Sequence, residues 1–185
     1  MYIAMSTELP SIGAERLRTA ARVTIVASTY NEKYTTALLD NCLAELKEYE
    51  DLLTVNVVRV PGAFEVPMMV KRAIVTAAEG RKPDAVIALG VILRGSTAHA
   101  DLIGDSITRQ LLTTSCDTLV PVIHEVLLLD NEQQAFARCI ASALNRGREA
   151  ARAAVEMLRV LEVQDALTGM NNRAAGINRH GSLIQ

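Results

Sequence analysis

With 185 residues, half of them hydrophobic, the chain has enough apolar material for one well-buried domain and too little length for two of ordinary size. A formal net charge of −2 leaves no overall field to gather nucleic acid or a membrane surface, so an anionic ligand must be held by individually placed arginines. No run of about 18 apolar residues and no secretory leader pattern occurs, and three cysteines without metal-ligand or CxxC spacing read as free buried thiols of a reducing cytoplasm.

Residues 1–21 lack periodicity and read as an N-terminal arm, either loose or docked onto a neighbouring subunit. Val23–Ala27 is β-branched enough for a first strand, and Ser28-Thr29-Tyr30-Asn31 stops it, with Asn31 the expected cap of a helix. Leu38, Leu39, Cys42, Leu43 and Leu46 form that helix's apolar face. Val55–Val60 is the second strand. Pro61-Gly62 ends it, and Pro67 opens a helix carrying Met68, Met69, Ala73, Ile74 and Ala77 until Gly80 and Pro83.

Ala85–Val91 is unbroken apolar sequence, the mark of a strand covered on both faces. Leu102, Ile103, Ile107, Leu111 and Leu112 give the next helix its apolar face, and Val122 to Leu129 is a fourth strand. Asp130 with Gln133 predicts a capping box for a fourth helix anchored by Phe136 and Ile140. After an interruption at Asn145-Arg146-Gly147, Ala150, Ala151, Ala154, Val155 and Leu158 make a last helix, and residues 166–185 read as a mobile C-terminal tail. Strict alternation of strand and helix predicts, over residues 22–165, a single-domain three-layer α/β/α sandwich around a four-stranded parallel sheet.

In such sheets the loops at the carboxyl ends of the strands line the ligand crevice. Gly95, Ser96 and Thr97 follow the third strand and precede a helix, so they are expected to form an anion cradle at a helix N-terminus. His99, with Asp101 two residues on, is placed for proton transfer near neutral pH. The plainer alternative is a surface histidine at a helix start. The segment Gly90-x4-Gly95-Ser96-Thr97 lacks the lysine of a nucleotide-binding P-loop, and Ala27–Tyr30 lacks a dinucleotide glycine fingerprint. A phosphate monoester fits what remains. Tyr30 and Phe64 fall at strand exits, where they either stack on a flat ligand or cap the core. On pattern alone Arg138 is an ordinary solvated charge.

Three motifs at matching spacing, Ser28–Asn31, Val60-Pro61-Gly62-Ala63-Phe64-Glu65-Val66-Pro67 and Gly90-Val91-Ile92-Leu93-Arg94-Gly95-Ser96-Thr97-Ala98-His99, resemble the lumazine synthase family across Arg22 to Leu161. The resemblance implies a flavodoxin-like sheet, no cofactor and no metal, cytoplasmic pentamers or multiples of pentamers, and active sites between adjacent subunits. It implies condensation of 5-amino-6-(D-ribitylamino)uracil with 3,4-dihydroxy-2-butanone 4-phosphate to 6,7-dimethyl-8-ribityllumazine, with loss of phosphate and water, and riboflavin synthase as a further partner. Carried residue by residue, Tyr30 and Asn31 meet the pyrimidine, and Ala63, Phe64 and Glu65 hold the ribityl chain. Val91, Ile92 and Leu93 line the pyrimidine pocket, and Gly95, Ser96 and Thr97 bind phosphate with Arg138 of the neighbouring subunit. His99 transfers protons with Asp101 as its acidic companion, and Arg146 stands where the family often has lysine near the substrate.

The chain departs from the family at His124-Glu125, where a Phe-Gly pair is usual. His124 is then expected to form the far wall of the pyrimidine pocket, and Glu125 to bring a carboxylate near the ring. A paralogue with a changed substrate and a non-catalytic flavin- or lumazine-binding shell subunit are the alternative readings. Retention of the phosphate loop, His99 and Arg138 together argues against the second.

Overall fold

A computed structural model describes residues 17–49 and 51–169. Four parallel strands, β1 (Ala21–Ser28), β2 (Leu53–Val60), β3 (Ala85–Leu93) and β4 (Val122–Leu129), lie in the order β2-β1-β3-β4. Five α-helices connect or follow them: α1 (Glu32–Leu46), α2 (Val66–Val75), α3 (His99–Thr118), the short α4 (Glu132–Ala135) and α5 (Arg146–Leu167). One sheet face packs on α1 and α5 and the other on α2 and α3, giving two separate apolar clusters. The predicted α/β/α sandwich is the observed fold.

Burial follows position in the sheet. The central strand β3 is enclosed from Ala85 to Val91, so every residue of that stretch must be apolar or glycine. The edge strands β2 and β4 are only half-buried, which leaves room for Asn56, Arg59, His124 and Glu125. Gly90 sits at a close-packed point of the sheet, since a Cβ there would stand 3.1 Å from Val126 Cγ1 and 3.2 Å from Ser28 Oγ.

Several expectations are corrected. The fourth helix is four residues long and gives way to a π-helical turn, Phe136–Ile140, closed by Ala141 N–H donating to Phe136 O. Buried Asn145 holds this turn, its Nδ2 donating to Cys139 O at 2.8 Å and Ala141 O at 3.3 Å. The cap of α4 is Asn131, whose Oδ1 accepts from Gln134 N–H, so the capping pattern is one residue later than Asp130 with Gln133. Phe136 points outward, as do Leu102 and Leu112, which fall off the Ile103–Ile107–Leu111 stripe of α3. Cys42 and Cys139 are buried, but Cys116 is exposed.

Both predicted termini overlap ordered structure. Ala21 already belongs to β1, Leu17 is buried in the core, and Thr19 binds Glu162 of α5. The rest of the arm, residues 1–16, lies outside the described residues, and α5 runs to Leu167, past the expected start of the tail. No helix among the described residues is long and apolar enough to cross a membrane.

Candidate active site at the carboxyl edge of the sheet

Chain order reverses between β1 and β3, and at such a switch point two adjacent loops part to leave a crevice. The loop after β1 is pinned to the one after β2: Thr29 N–H donates to Val60 O at 2.8 Å, and Tyr30 N–H to Pro61 O at 2.9 Å. Glu65 folds back to accept Gly62 N–H at 2.8 Å. A Cβ at Gly62 would sit 2.9 Å from Glu65 Oε2 and 3.2 Å from the Tyr30 ring, so a larger residue there would displace both side chains. Tyr30 and Phe64 are 68% and 63% exposed, so neither ring caps the core. Asn31 has left-handed backbone (φ 58°) and does not cap α1 with its side chain. Its Nδ2 instead donates to Val91 O at 2.8 Å, joining the β1 loop to the end of β3. Ala63 and Val91 are buried, Ile92 and Leu93 half-buried.

Gly95, Ser96 and Thr97 are exposed and run directly into the 20-residue α3, whose first amides offer donors and a positive dipole end. Thr97 Oγ1 accepts His99 N–H at 3.4 Å, and the His99 side chain is exposed beside the loop. Asp101 is not engaged with His99. Its carboxylate pairs with Arg94 at 2.9 Å, while Arg94 Nε reaches Asp130 at 3.0 Å and Arg94 N–H donates to Leu129 O at 2.8 Å. Such exposed pairs add little stability, but this one anchors the root of the loop at three points. Sequence reasoning missed Arg94; its only signal was a charge at the junction of a buried strand and a glycine loop.

The remaining expected residues stand on β4 and on the segments that follow it. His124 is opposite Ala88, five residues short of the carboxyl end of β4, on the α3 side of the sheet. Burial lowers its pKa from the ordinary histidine value. Strand alternation sends Glu125 to the opposite face, so the two side chains do not form one wall together. There burial pushes its carboxyl up to about 8, with Arg146 and Arg138 opposing the shift and Glu149 adding to it. Arg146 is tied to Glu149 at 2.5 Å. Arg138 stands in the π-helical turn, with Nη1 enclosed and without a hydrogen-bond partner.

A separate groove of about 660 Å³ between α2 and α3 is lined by Phe64, Met68, Lys71, Arg72, Val75 and Gln110. It shares Phe64 with the crevice. Among the described residues no group of three or more His, Cys, Asp and Glu side chains is placed to hold a metal ion.

The family model for 6,7-dimethyl-8-ribityllumazine synthase matches residues 20–162, which span every element of the sheet and the crevice. A protein named 6,7-dimethyl-8-ribityllumazine synthase from Nitrobacter hamburgensis is 38% identical over 141 residues, covering 76% of this chain and 85% of the relative. With the four-stranded parallel sheet, the loops gathered at its carboxyl edge and both similarities in agreement, the chain belongs to the 6,7-dimethyl-8-ribityllumazine synthase family.

Proposed function

We propose that the protein condenses 5-amino-6-(D-ribitylamino)uracil with 3,4-dihydroxy-2-butanone 4-phosphate in sites shared between neighbouring subunits of a pentamer or a multiple of pentamers. Its standing as a lumazine synthase, a transferase of riboflavin biosynthesis, comes from the family. The observation that carries the residue assignment is the convergence of Tyr30, Ala63–Glu65 and the Gly95–His99 loop at one switch point.

Tyr30 stacks on the pyrimidine with Asn31 beside it, and Ala63, Phe64 and Glu65 hold the ribityl chain. Val91, Ile92 and Leu93 line the pocket floor. The loop residues Gly95, Ser96 and Thr97, with the free amides of α3, hold the phosphate, and Arg138 of the adjacent subunit completes its shell. The substrate amine attacks the ketone, and imine formation and phosphate elimination both need proton movement, for which exposed His99 is the available group. Asp101 acts through Arg94, keeping the loop in place. Holding two substrates in register supplies about 7–11 kcal/mol, so the chemical apparatus need not be elaborate. Exposed Phe64, Met68, Val75 and Leu112 around α2 and α3 suit burial between subunits, and riboflavin synthase is the expected partner for the product.

The test is an absorbance assay for the lumazine chromophore with both substrates. His99→Ala is expected to slow turnover about a hundred- to ten-thousand-fold while the oligomer stays intact, the loss of one proton-transfer group. A correctly assembled wild-type oligomer that forms no product at high enzyme concentration would leave the non-catalytic shell reading in its place.

A further inference from the structure

The exposed loop Gly95–His99 is closed at its root by one side chain. Arg94 precedes the loop and Asp101 follows it, and Arg94 Nη1 reaches both carboxylate oxygens, Oδ1 at 2.9 Å and Oδ2 at 3.1 Å. Arg94 Nε turns the other way, to Asp130 at 3.0 Å. The two carboxylates are not equivalent. Asp130 has a second holder in Gln134, whose Nε2 donates to Asp130 Oδ2 at 3.1 Å and whose Oε1 accepts Asp130 N–H at 2.9 Å. The Asp101 carboxylate has Arg94 alone among the described residues.

Asp101 is the third residue of α3, and the cap position, Ala98, has no side chain to offer the helix start. His99 N–H meets Thr97 Oγ1 only at 3.4 Å, and the N–H groups of Ala98, Ala100 and Asp101 find no acceptor among the described residues. A carboxylate at the third helical position ordinarily folds back onto the cap amide, and the helix dipole draws it there. Glu65 does so in this molecule, accepting Gly62 N–H three residues back at 2.8 Å. Asp101 stands in the same position of its own helix and is instead turned to Arg94.

We propose that Arg94 is a positioning residue of the phosphate loop: it holds the Asp101 carboxylate off the first amides of α3 and so keeps them open for the phosphate of the substrate. This deepens the lumazine synthase reading proposed above and rests on it. Two anionic groups compete for one set of donors, the substrate's phosphate and the chain's own carboxylate. Arg94 gives the carboxylate a charge-assisted partner of its own and cancels its charge beside the loop. The side chains of Arg94 and Asp101 are 42% and 46% exposed, so the pair contributes little to stability. Its effect falls on the ligand.

The experiment compares wild type, Arg94→Gln, Asp101→Asn and the double variant as intact oligomers. Two constants are measured: KM for the phosphate-bearing substrate at saturating pyrimidine substrate, and Kd for inorganic phosphate by calorimetry. Arg94→Gln is expected to raise both about two- to thirty-fold, the range of a charge acting at a helix terminus. KM for the pyrimidine substrate and the thermal unfolding midpoint should change little. Adding Asp101→Asn to Arg94→Gln is expected to bring both constants back to those of Asp101→Asn alone, because the competing carboxylate is gone. A pair that merely braced the loop would be broken equally from either side, leaving both single variants and the double alike. A double variant that binds phosphate no more tightly than Arg94→Gln therefore overturns the proposal, as does an Arg94→Gln indistinguishable from wild type. An assembled wild type that binds phosphate but makes no lumazine would instead sink the activity on which it rests.

Discussion

Two glutamates in this chain meet burial in opposite ways. Glu45 on α1 is almost enclosed, and although desolvation acts to raise its pKa, hydrogen bonds from Arg148 at 2.8 Å and Arg152 at 2.7 Å outweigh it and hold the carboxyl below its ordinary value. That stability is present above the ordinary carboxylate range and is lost as pH falls through the lowered value. Glu125 has two arginines nearby but a pKa raised by burial to about 8. Between its ordinary 4.5 and about 8 the folded chain binds a proton that the unfolded chain releases, so stability falls as pH rises through that window. Glu125→Gln keeps the shape and removes the proton. It is expected to match wild type in thermal unfolding near pH 4.5 and to exceed it increasingly toward pH 8.5, by a few kcal/mol. A wild type that gains on the variant as pH rises would show instead that Arg138 and Arg146 hold Glu125 ionised.

The join between the π-helical turn and α5 decides how Arg138 is presented. Asn145 is fully buried and binds in three directions: its Oδ1 accepts Arg148 N–H at 3.2 Å to cap α5, and its Nδ2 reaches Cys139 O and Ala141 O. Gly147 then lets α5 approach α1 so closely that a Cβ would stand 2.1 Å from Leu38 O. Backbone carbonyl cannot give way as a side-chain tip can, so Gly147→Ala should destabilise by at least about 2–3 kcal/mol, read as a lowered denaturation midpoint with unchanged slope. The strands were legible in advance because burial on two faces demands continuous apolar sequence, and β3 could hardly be read otherwise. The π-helical turn was not, since Phe136 and Ile140 keep helical spacing while the backbone is held off it by Asn145, whose partners are distant carbonyls invisible to periodicity. Asn31 misled for a related reason. It has the chemistry of a helix cap, but its amide is spent on Val91 O in a different strand. In the crevice, glycine and histidine could be read from their place after a strand. Arg94 could not, because its three anchors come from β4, α3 and Asp130.

At the scale of the whole molecule, the residues assigned to one reaction come from two parts of the chain. Tyr30, Phe64, Gly95–Thr97 and His99 gather at the carboxyl edge of β1, β2 and β3, whereas His124 lies within the edge strand β4 and Arg138 in the turn beyond it. In the head-to-tail ring proposed above, the β4 side of one subunit would meet the crevice of the next, and each site would take His99 from one chain and Arg138 from the other. His99→Ala and Arg138→Ala chains should then be individually impaired yet complement one another. When the two are co-expressed in equal amounts and assemble at random, about a quarter of the interfaces pair an intact His99 with an intact Arg138, because each interface joins two independently drawn chains in a fixed direction. Activity of the mixed oligomer should approach that fraction of wild type, well above either variant alone, and should not appear when the two are purified as finished oligomers and simply combined. Equal inactivity of co-assembled and separately assembled mixtures would place both residues in the same protomer's site.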